Sequence, residues 1–308
     1  MQIDNLIIDG TNLEFRIFYV ARSKKTTNTE GQIVFNPEDP NGEQANSTFK
    51  FLQTFLNLTE KFNPTNVYAA WDKRLAHPST NFRKDILVDQ YKAGRAKLPD
   101  IQDMYDQEVK LIEILESLGV KSIFPNVLEA DDVCAWLSTI LPGSTVIVSV
   151  DQDLLQLVSP TISVYNLKEL ITYNNFEEKK GIKPELFKLF KAIKGDPSDN
   201  ITGLNGYGDV RSRKLAINWD DSNLTEEYKQ IIDRNLKLID LHYGFNFQEG
   251  EKRKYEEQLN YVKSVKGNME KFMTLCARNG FVSILKNVDR WKHFLKRNQL
   301  TEFISNLS

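Results

Sequence analysis

Glu129, Asp131 and Asp132 fall within four positions of one another in the stretch VLEADDVCAWL, with an apolar run directly behind them. Carboxylates this close raise one another's pKa unless a cation compensates. Three apolar, β-rich runs elsewhere also end in an acid: NLIID at Asp9, NVYAAWD at Asp72 and STVIVSVD at Asp151. Asp153 follows two residues after Asp151, at a helix start, and the turn GDPSDN holds Asp196 and Asp199. Nine acids from five places are therefore candidates for one site. Each alone has an ordinary explanation, since an Asp after a strand often caps the next helix and an Asp in DPSDN is a turn former. Their conjunction favours ligation. Oxygen-only donors, with His77, His242 and His293 scattered along the chain, suit Mg²⁺ or Mn²⁺ better than zinc. The carboxylates outnumber what one Mg²⁺ needs, because that ion keeps several waters. Two ions are the more economical reading, and such a pair activates water and stabilises the leaving oxygen of a phosphodiester.

A second chemical signal lies between the strand-end acids. Lys73, Arg74, Arg83, Lys84, Lys92, Arg95 and Lys97 stand against only Asp85 and Asp89, in a chain whose net charge is −2. Phe82 and Tyr91 are interleaved. Local positive charge with aromatic side chains suits a single-stranded nucleic acid track, and a solvated helix face is the plainer alternative.

The elements that must position these groups are legible in the apolar pattern. VKSIF (120–124) and TISVYN (161–166) read as further strands, and helical patterns run over 44–62, 104–118, 131–140 and 153–158. Short apolar strands alternating with helices predict an α/β fold with a mostly parallel central sheet flanked by helices. Ligands of such sheets gather at the carboxyl ends of the strands, where Asp9, Asp72 and Asp151 are expected. Segment 23–47 is polar and Gly/Pro-punctuated and reads as a mobile loop. After about residue 184 the pattern is nearly all helical. Pro184 opens KPELFKLFKAI, and a glycine-rich link leads to further helices such as EKRKYEEQLNYVKSV. The expected division is an α/β domain over 1–184 and a helical part over 185–308.

Composition excludes little beyond this. Hydrophobic residues are 41% and charged residues 27%, as in ordinary globular chains. No apolar run approaches the roughly 20 residues needed to span a bilayer, and MQIDNLIIDGTN has no basic n-region, so neither membrane nor signal peptide is expected. Cys134 and Cys276 lie in apolar helical contexts, read as free buried thiols, and point to a cytoplasmic setting. IIDGTN has Ile7 where an aspartyl-phosphatase would place its nucleophile. No P-loop pattern occurs, and GLNGYG spaces its glycines unlike a dinucleotide fingerprint.

The ordered set IIDGTN, AAWD, FRKDILVDQYKAGR, EADD, SVDQDLLQLV and GDPSDNITGLNGYG resembles the 5′-nuclease superfamily. That group includes flap endonucleases, the 5′-nuclease domain of bacterial DNA polymerase I and phage 5′-exonucleases. The overall length and LKLIDLHYGFNF look most like the ribonucleases H of T-even bacteriophages. The resemblance covers most of the chain to about residue 215.

It implies a two-metal 5′-nuclease acting on RNA·DNA and DNA duplexes with 5′ ends or flaps, in the removal of RNA primers. Asp9, Asp72, Glu129, Asp131 and Asp151 would lean towards one Mg²⁺ (or Mn²⁺), and Asp153, Asp196 and Asp199 towards the second, with Asp132 among the same acids. Lys92 and Arg95 would meet the scissile phosphate and, with Asp151, carry catalysis. The domain over 1–184 would be its nuclease domain, with a helical arch at about 73–103, and Arg83, Lys84 and Tyr91 would be further arch contacts, Tyr91 by stacking. GLNGYGDVRSRKL resembles the family's helix–turn–helix variant, placed at about 186–217. Gly206, Gly208, Arg211, Arg213 and Lys214 would touch the duplex backbone, and main-chain oxygens of the loop are candidate ligands for K⁺. One departure is Asp209, an acid in a loop meant to approach phosphate. The expected setting is a monomer in the (host) cytoplasm, with a single-stranded-DNA-binding replication protein as a candidate partner. Two rivals share the acid-ended sheet: a PIN-like single-strand ribonuclease, and an inactive structure-specific DNA-binding protein.

Overall fold

The computed structural model describes residues 2–22, 26–27, 33–34, 46–72, 82–88, 91–92, 101–125, 127–244 and 249–295. These fall into two compact units, each drawn from non-adjacent stretches. The first comprises Met1–Ala70, Leu98–Ile123 and Glu257–Ser308, and the second Trp71–Lys97 and Phe124–Glu256. The boundary expected at residue 184 runs through the second unit, because the fully buried Phe176 packs edge-on against Phe187 at 5.4 Å.

In the first unit, β1 (Ile3–Asp9) runs into α1 (Gly10–Arg22) without a loop. The short β2 (Thr26–Thr27) and β3 (Ile33–Val34) pair antiparallel; with Asn46 and Ser47 they are the described part of the segment read as a mobile loop, whose remainder lies outside the described residues. Next come α2 (Ser47–Phe62), β4 (Pro64–Ala70), α3 (Phe82–Ile86, in the second unit), α4 (Ile101–Ser117) and β5 (Lys121–Ile123). β4 pairs parallel with both β1 and β5, and Asp9 stands opposite Ala70 at the carboxyl end. All but one residue of β1 is buried, as both faces of a parallel sheet require. α2 is set by its caps. The Asn46 side chain accepts from the Phe49 N–H at 3.1 Å, and Asn63 closes the helix in the left-handed region at φ 46°.

In the second unit, α5 (Ala130–Ile140) leads to β6 (Thr145–Val148), a 3-10 turn over Asp153–Leu157, β7 (Ile162–Tyr165) and β8 (Leu170–Ile171). β6 and β7 are parallel, and β8 returns antiparallel on β7. The sheet is mostly parallel and flanked by helices, as the alternating pattern predicted. α6 (Tyr173–Lys180) and α7 (Pro184–Lys194) follow, then a short hairpin of β9 (Gly195–Asp196) and β10 (Ile201–Thr202), then α8 (Asp209–Ile217), α9 (Glu226–Ile239) and α10 (Glu249–Lys263), whose residues from Glu257 on belong to the first unit. The first unit ends in α11 (Met269–Arg278) and α12 (Val282–Lys286), and Phe281 and Phe294 pack on Phe49 and Phe55 of α2. Among the described residues no helix is long and apolar enough to cross a membrane.

Candidate metal centre

Eight of the nine acids singled out in the sequence lie in the second unit, and local structure explains how each is held. The hydrophobic side of α5, Val133 to Leu137, is fully or nearly fully buried, which fixes its acidic N-terminus at the edge of the core. Glu129 is the residue before that helix, and its N–H donates to Asp132 Oδ2 at 3.0 Å. Asp131 Oδ1 accepts from the Asp132 N–H at 2.8 Å, and Asp72 Oδ1 accepts from the Ala130 N–H at 2.7 Å. A helix N-terminus offers free N–H groups and partial positive charge, which is why three carboxylates and Asp72 converge there. Oxygens of Glu129, Asp131 and Asp132 lie within 4.8 Å of one another.

Cations of the chain itself answer part of the crowding. Arg83, 2% exposed, donates from both terminal nitrogens to Asp132 (2.8 and 2.6 Å) and from Nε to the Leu238 carbonyl (2.9 Å). Lys92 Nζ meets Glu129 Oε1 at 2.7 Å. The buried Tyr91 hydroxyl donates to Glu129 Oε2 at 2.9 Å and lies 3.3 Å from Asp199 Oδ2. The backbone N–H of Lys92 also donates to the Asp199 carbonyl. Burial pushes Glu129 up, but the charges of Lys92 and Arg83 and the hydrogen bonds from Lys92 and Tyr91 bring it down to about 2. Asp72 is raised by burial and then by the charge of Glu129, and Asp131 by burial and then by Asp132 and Glu129.

The remaining acids gather around α7. Asp151 Oδ1 accepts from the Asp153 N–H at 2.8 Å. Lys191 Nζ bridges the carboxylates of Asp153 and Asp196, the latter at 2.8 Å. Burial pushes Asp153 up to about 6 even beside that lysine. Asp196 Oδ1 accepts from Ser198 N–H and Oγ, which sets the 3-10 turn that ends at the buried Asp199. Gly195 (φ +77°) and Gly203 make this hairpin possible, since a Cβ on Gly203 would stand 2.0 Å from the Lys194 carbonyl oxygen.

The structure sets three of these residues in surroundings that the sequence does not disclose. The Arg83 guanidinium is buried and committed to Asp132. The Tyr91 ring is 5% exposed and its hydroxyl serves the acids. Asp132, 0% exposed, has both oxygens engaged by Arg83. Lys84 is half-buried on α3, and Arg95, like Lys73, Arg74 and Lys97, lies outside the described residues. Asp9 belongs to the first unit, at the end of β1, where its Oδ1 accepts from the Asn12 N–H at 3.3 Å. Acids trail β4 and β6 by two and three residues rather than ending them. Lys191 was missed. Its signal was its position four residues after Phe187, a lysine in the apolar stripe of α7.

The glycine-rich segment also forms as expected between helices. Gly206 takes φ +79° and Gly208 precedes α8. Arg211 Nη1 donates to the Gly206 carbonyl at 3.1 Å, Arg213 pairs with Asp209, and Lys214 is exposed.

The oxygen-only donor set, three carboxyls held above their ordinary range, and an excess of acids over cations together fit divalent metal. With this arrangement in place, the sequence comparison is decisive: residues 4–181 match the family described as the 5′-3′ exonuclease, N-terminal resolvase-like domain. The chain belongs to this family. Among 5′-3′ exonuclease relatives, one from Buchnera aphidicola is 31% identical over 222 residues, covering 68% of this chain and 75% of that protein. A thermostable DNA polymerase I of Thermus thermophilus is 30% identical over 237 residues, 75% of this chain but 26% of the polymerase. The chain thus spans about a quarter of the length of the DNA polymerases I it matches. In fold, a T5 5′-exonuclease described with bound divalent metal ions (zinc) superposes with a TM-score of 0.65 at 20% identity, over 85% of this chain and 99% of that one. A T5 flap endonuclease described in complex with DNA and metal ions gives 0.60 at 20% identity, over 85% of this chain and all of that one.

Proposed function

We propose that this 5′-3′ exonuclease family member is a Mg²⁺-dependent 5′-nuclease. It hydrolyses phosphodiesters at the 5′ ends of RNA·DNA and DNA duplexes and at 5′ flaps, in the service of RNA primer removal. The observation that carries the reading is the second unit's chain of carboxylates, from Asp72 and Glu129 through Asp199 to Asp196 and Asp153, with a lysine at each end. Asp72, Glu129, Asp131 and Asp151 would hold one ion, and Asp153, Asp196 and Asp199 the other. Asp9 enters on its motif. Ions held there supply Lewis-acid activation of water and stabilisation of the departing oxygen. Glu129 positions Lys92, and through it a cation for charge developing on the transferring phosphate; Arg95 shares that role on its motif. Gly206, Gly208, Arg211, Arg213 and Lys214 would grip the duplex backbone, with K⁺ a further occupant of that loop's main-chain oxygens. A monomer, working beside a single-stranded-DNA-binding replication protein, completes the proposal.

The test compares a 5′-flapped DNA, an RNA·DNA duplex and a linear RNA of equal length, each with Mg²⁺ and with EDTA. Cleavage of the first two only with Mg²⁺, lost in Asp151→Asn and Asp9→Asn with duplex binding retained, is the expected result. Full activity in either variant sinks the metal assignment. Preference for the linear RNA would make the protein a single-strand ribonuclease.

A further inference from the structure

The acid that departs from the phosphate-approaching pattern, Asp209, is engaged in the structure. It is the first residue of α8, and its two oxygens hold two different cations. Lys194 Nζ, from the last turn of α7, lies 2.9 Å from Oδ1, and Arg213 Nη2, one turn along α8, lies 2.6 Å from Oδ2. Both cations also sit over the Phe190 ring, at 5.6 and 5.3 Å. Gly181 walls the Arg213 guanidinium on another side, where a Cβ would come within 3.4–3.5 Å of it. The arginine is therefore held in place by packing as well as by Asp209. The hydrogen bond from Lys194, then the nearby positive charges, keep the Asp209 carboxyl below its ordinary range, so it is charged at neutral pH.

We infer that Asp209 limits duplex affinity: one carboxylate competes with backbone phosphates for Lys194 and Arg213, and so weakens the grip of the glycine loop. The inference rests on the duplex-binding reading above. Ion pairs this exposed are weak, so phosphate can displace the carboxylate but must do so on every encounter. A rival explanation makes Asp209 only a favourable first-turn acid, complementing the helix dipole and pairing i to i+4 with Arg213. The two readings predict opposite signs. Neutralising a purely structural acid loosens α8 and weakens binding, whereas neutralising a competitor strengthens it.

The test is fluorescence anisotropy of the full-length chain with a labelled blunt duplex in EDTA, titrated over NaCl. Each cation released to a phosphate steepens the slope of log K against log salt by about 0.9, so between about 200 and about 50 mM salt the gap between Asp209→Asn and wild type opens by roughly 3–10-fold. Asp209→Ser, which removes the charge with a smaller polar side chain, should behave the same way, and Asp209→Glu should stay near wild type. Adding Lys194→Met to Asp209→Asn should return about half of the extra slope. Unchanged or weaker binding by both neutral variants, or tighter binding with an unchanged slope, overturns the inference while leaving duplex binding intact. Failure of the wild type itself to bind duplex overturns the duplex-binding reading and this inference with it.

Discussion

The Arg83–Asp132 pair offers the sharpest test of how the acids are held. Both groups are essentially fully buried, and both form two-point contacts: Arg83 to the two oxygens of Asp132, and Asp132 also to the Glu129 N–H. Replacing Arg83 by Met removes the counter-charge and leaves a carboxylate sealed in the core beside Glu129 and Asp131. Breaking one side of a buried pair costs about 3–5 kcal/mol. That is about a fifth or more of the roughly 5–15 kcal/mol that holds a folded domain together. Met fills the volume of the arginine stem, so the packing term is small and the loss is electrostatic. The double variant Arg83→Met/Asp132→Leu removes both charges and should recover most of the loss, giving a coupling energy of about 2–4 kcal/mol in the double-mutant cycle. Urea denaturation followed by tryptophan fluorescence in EDTA measures it, with Trp136 packed on Tyr255 as a reporter inside the same unit. If Arg83→Met costs less than about 1 kcal/mol, as surface substitutions do, while duplex affinity falls, Arg83 faces nucleic acid and the burial argument is wrong.

Other consequences follow from named groups. Asp153 stands at about 6, and Asp72 and Asp131 also above their ordinary values. A carboxyl raised on folding contributes stability that is complete below its unfolded value, near 4, and is lost as pH rises through its folded value. The metal-free chain should therefore lose stability between about pH 4 and pH 6, and the rise in unfolding temperature on adding Mg²⁺ should be larger at pH 7.5 than at pH 5; equal rises would contradict the electrostatic account. Asn235 is fully buried and its Nδ2 donates to the Ala192 and Thr202 carbonyls at 2.8 and 2.9 Å. Asn235→Ala takes this donor from the Ala192 carbonyl, leaves the Thr202 carbonyl to Arg234 Nη2, and should cost about 1–3 kcal/mol in the same denaturation assay. Burial pushes the Cys276 thiol up to about 12, and Cys134 is also buried. Native protein should thus show no thiol reactive with Ellman's reagent at pH 8, against two in urea.

The sequence was most readable where one residue's environment is set by its own segment. Apolar runs became β1, β4 and β6 because both faces of a parallel sheet are covered, and Asp9, Asp72 and Asp151 stood at or just beyond their carboxyl ends. Pro184 opened α7 as its fixed φ and missing N–H require. The sequence was least readable where a charge is buried by a partner far along the chain. Arg83 counted as one of seven cations in a basic segment, yet its spacing from Ile86 and Leu87 puts it on the apolar side of a short helix, where the distant Asp132, Glu129 and Leu238 carbonyl make burial tolerable. Lys191 carries the same signature on α7. Segment charge does not distinguish a solvated cation from a buried counter-ion, because the deciding term is a carboxylate tens of residues away. The interleaving of the two units was hidden for a related reason: contacts such as Phe176 on Phe187 join elements that composition alone separates.

The kind of cation at each acid has a further consequence. With all eight candidate acids of the second unit ionised, three buried or half-buried cations, Arg83, Lys92 and Lys191, leave five negative charges, of which two divalent ions would cancel four. Arginine, with its rigid fork, sits on the fully buried Asp132, where the pair is two-pointed and no water reaches it. Lysine, a single-point charge on a flexible stem, sits on Glu129, Asp153 and Asp196, all partly exposed. The two kinds of contact differ in how readily they exchange. Displacing Arg83 would bare a charge in the core, whereas displacing Lys92 or Lys191 by a metal replaces one cation with a stronger one and leaves the ammonium within reach of solvent. The fold thus gives its fully buried acid a fixed cation and its partly exposed acids cations that can be exchanged.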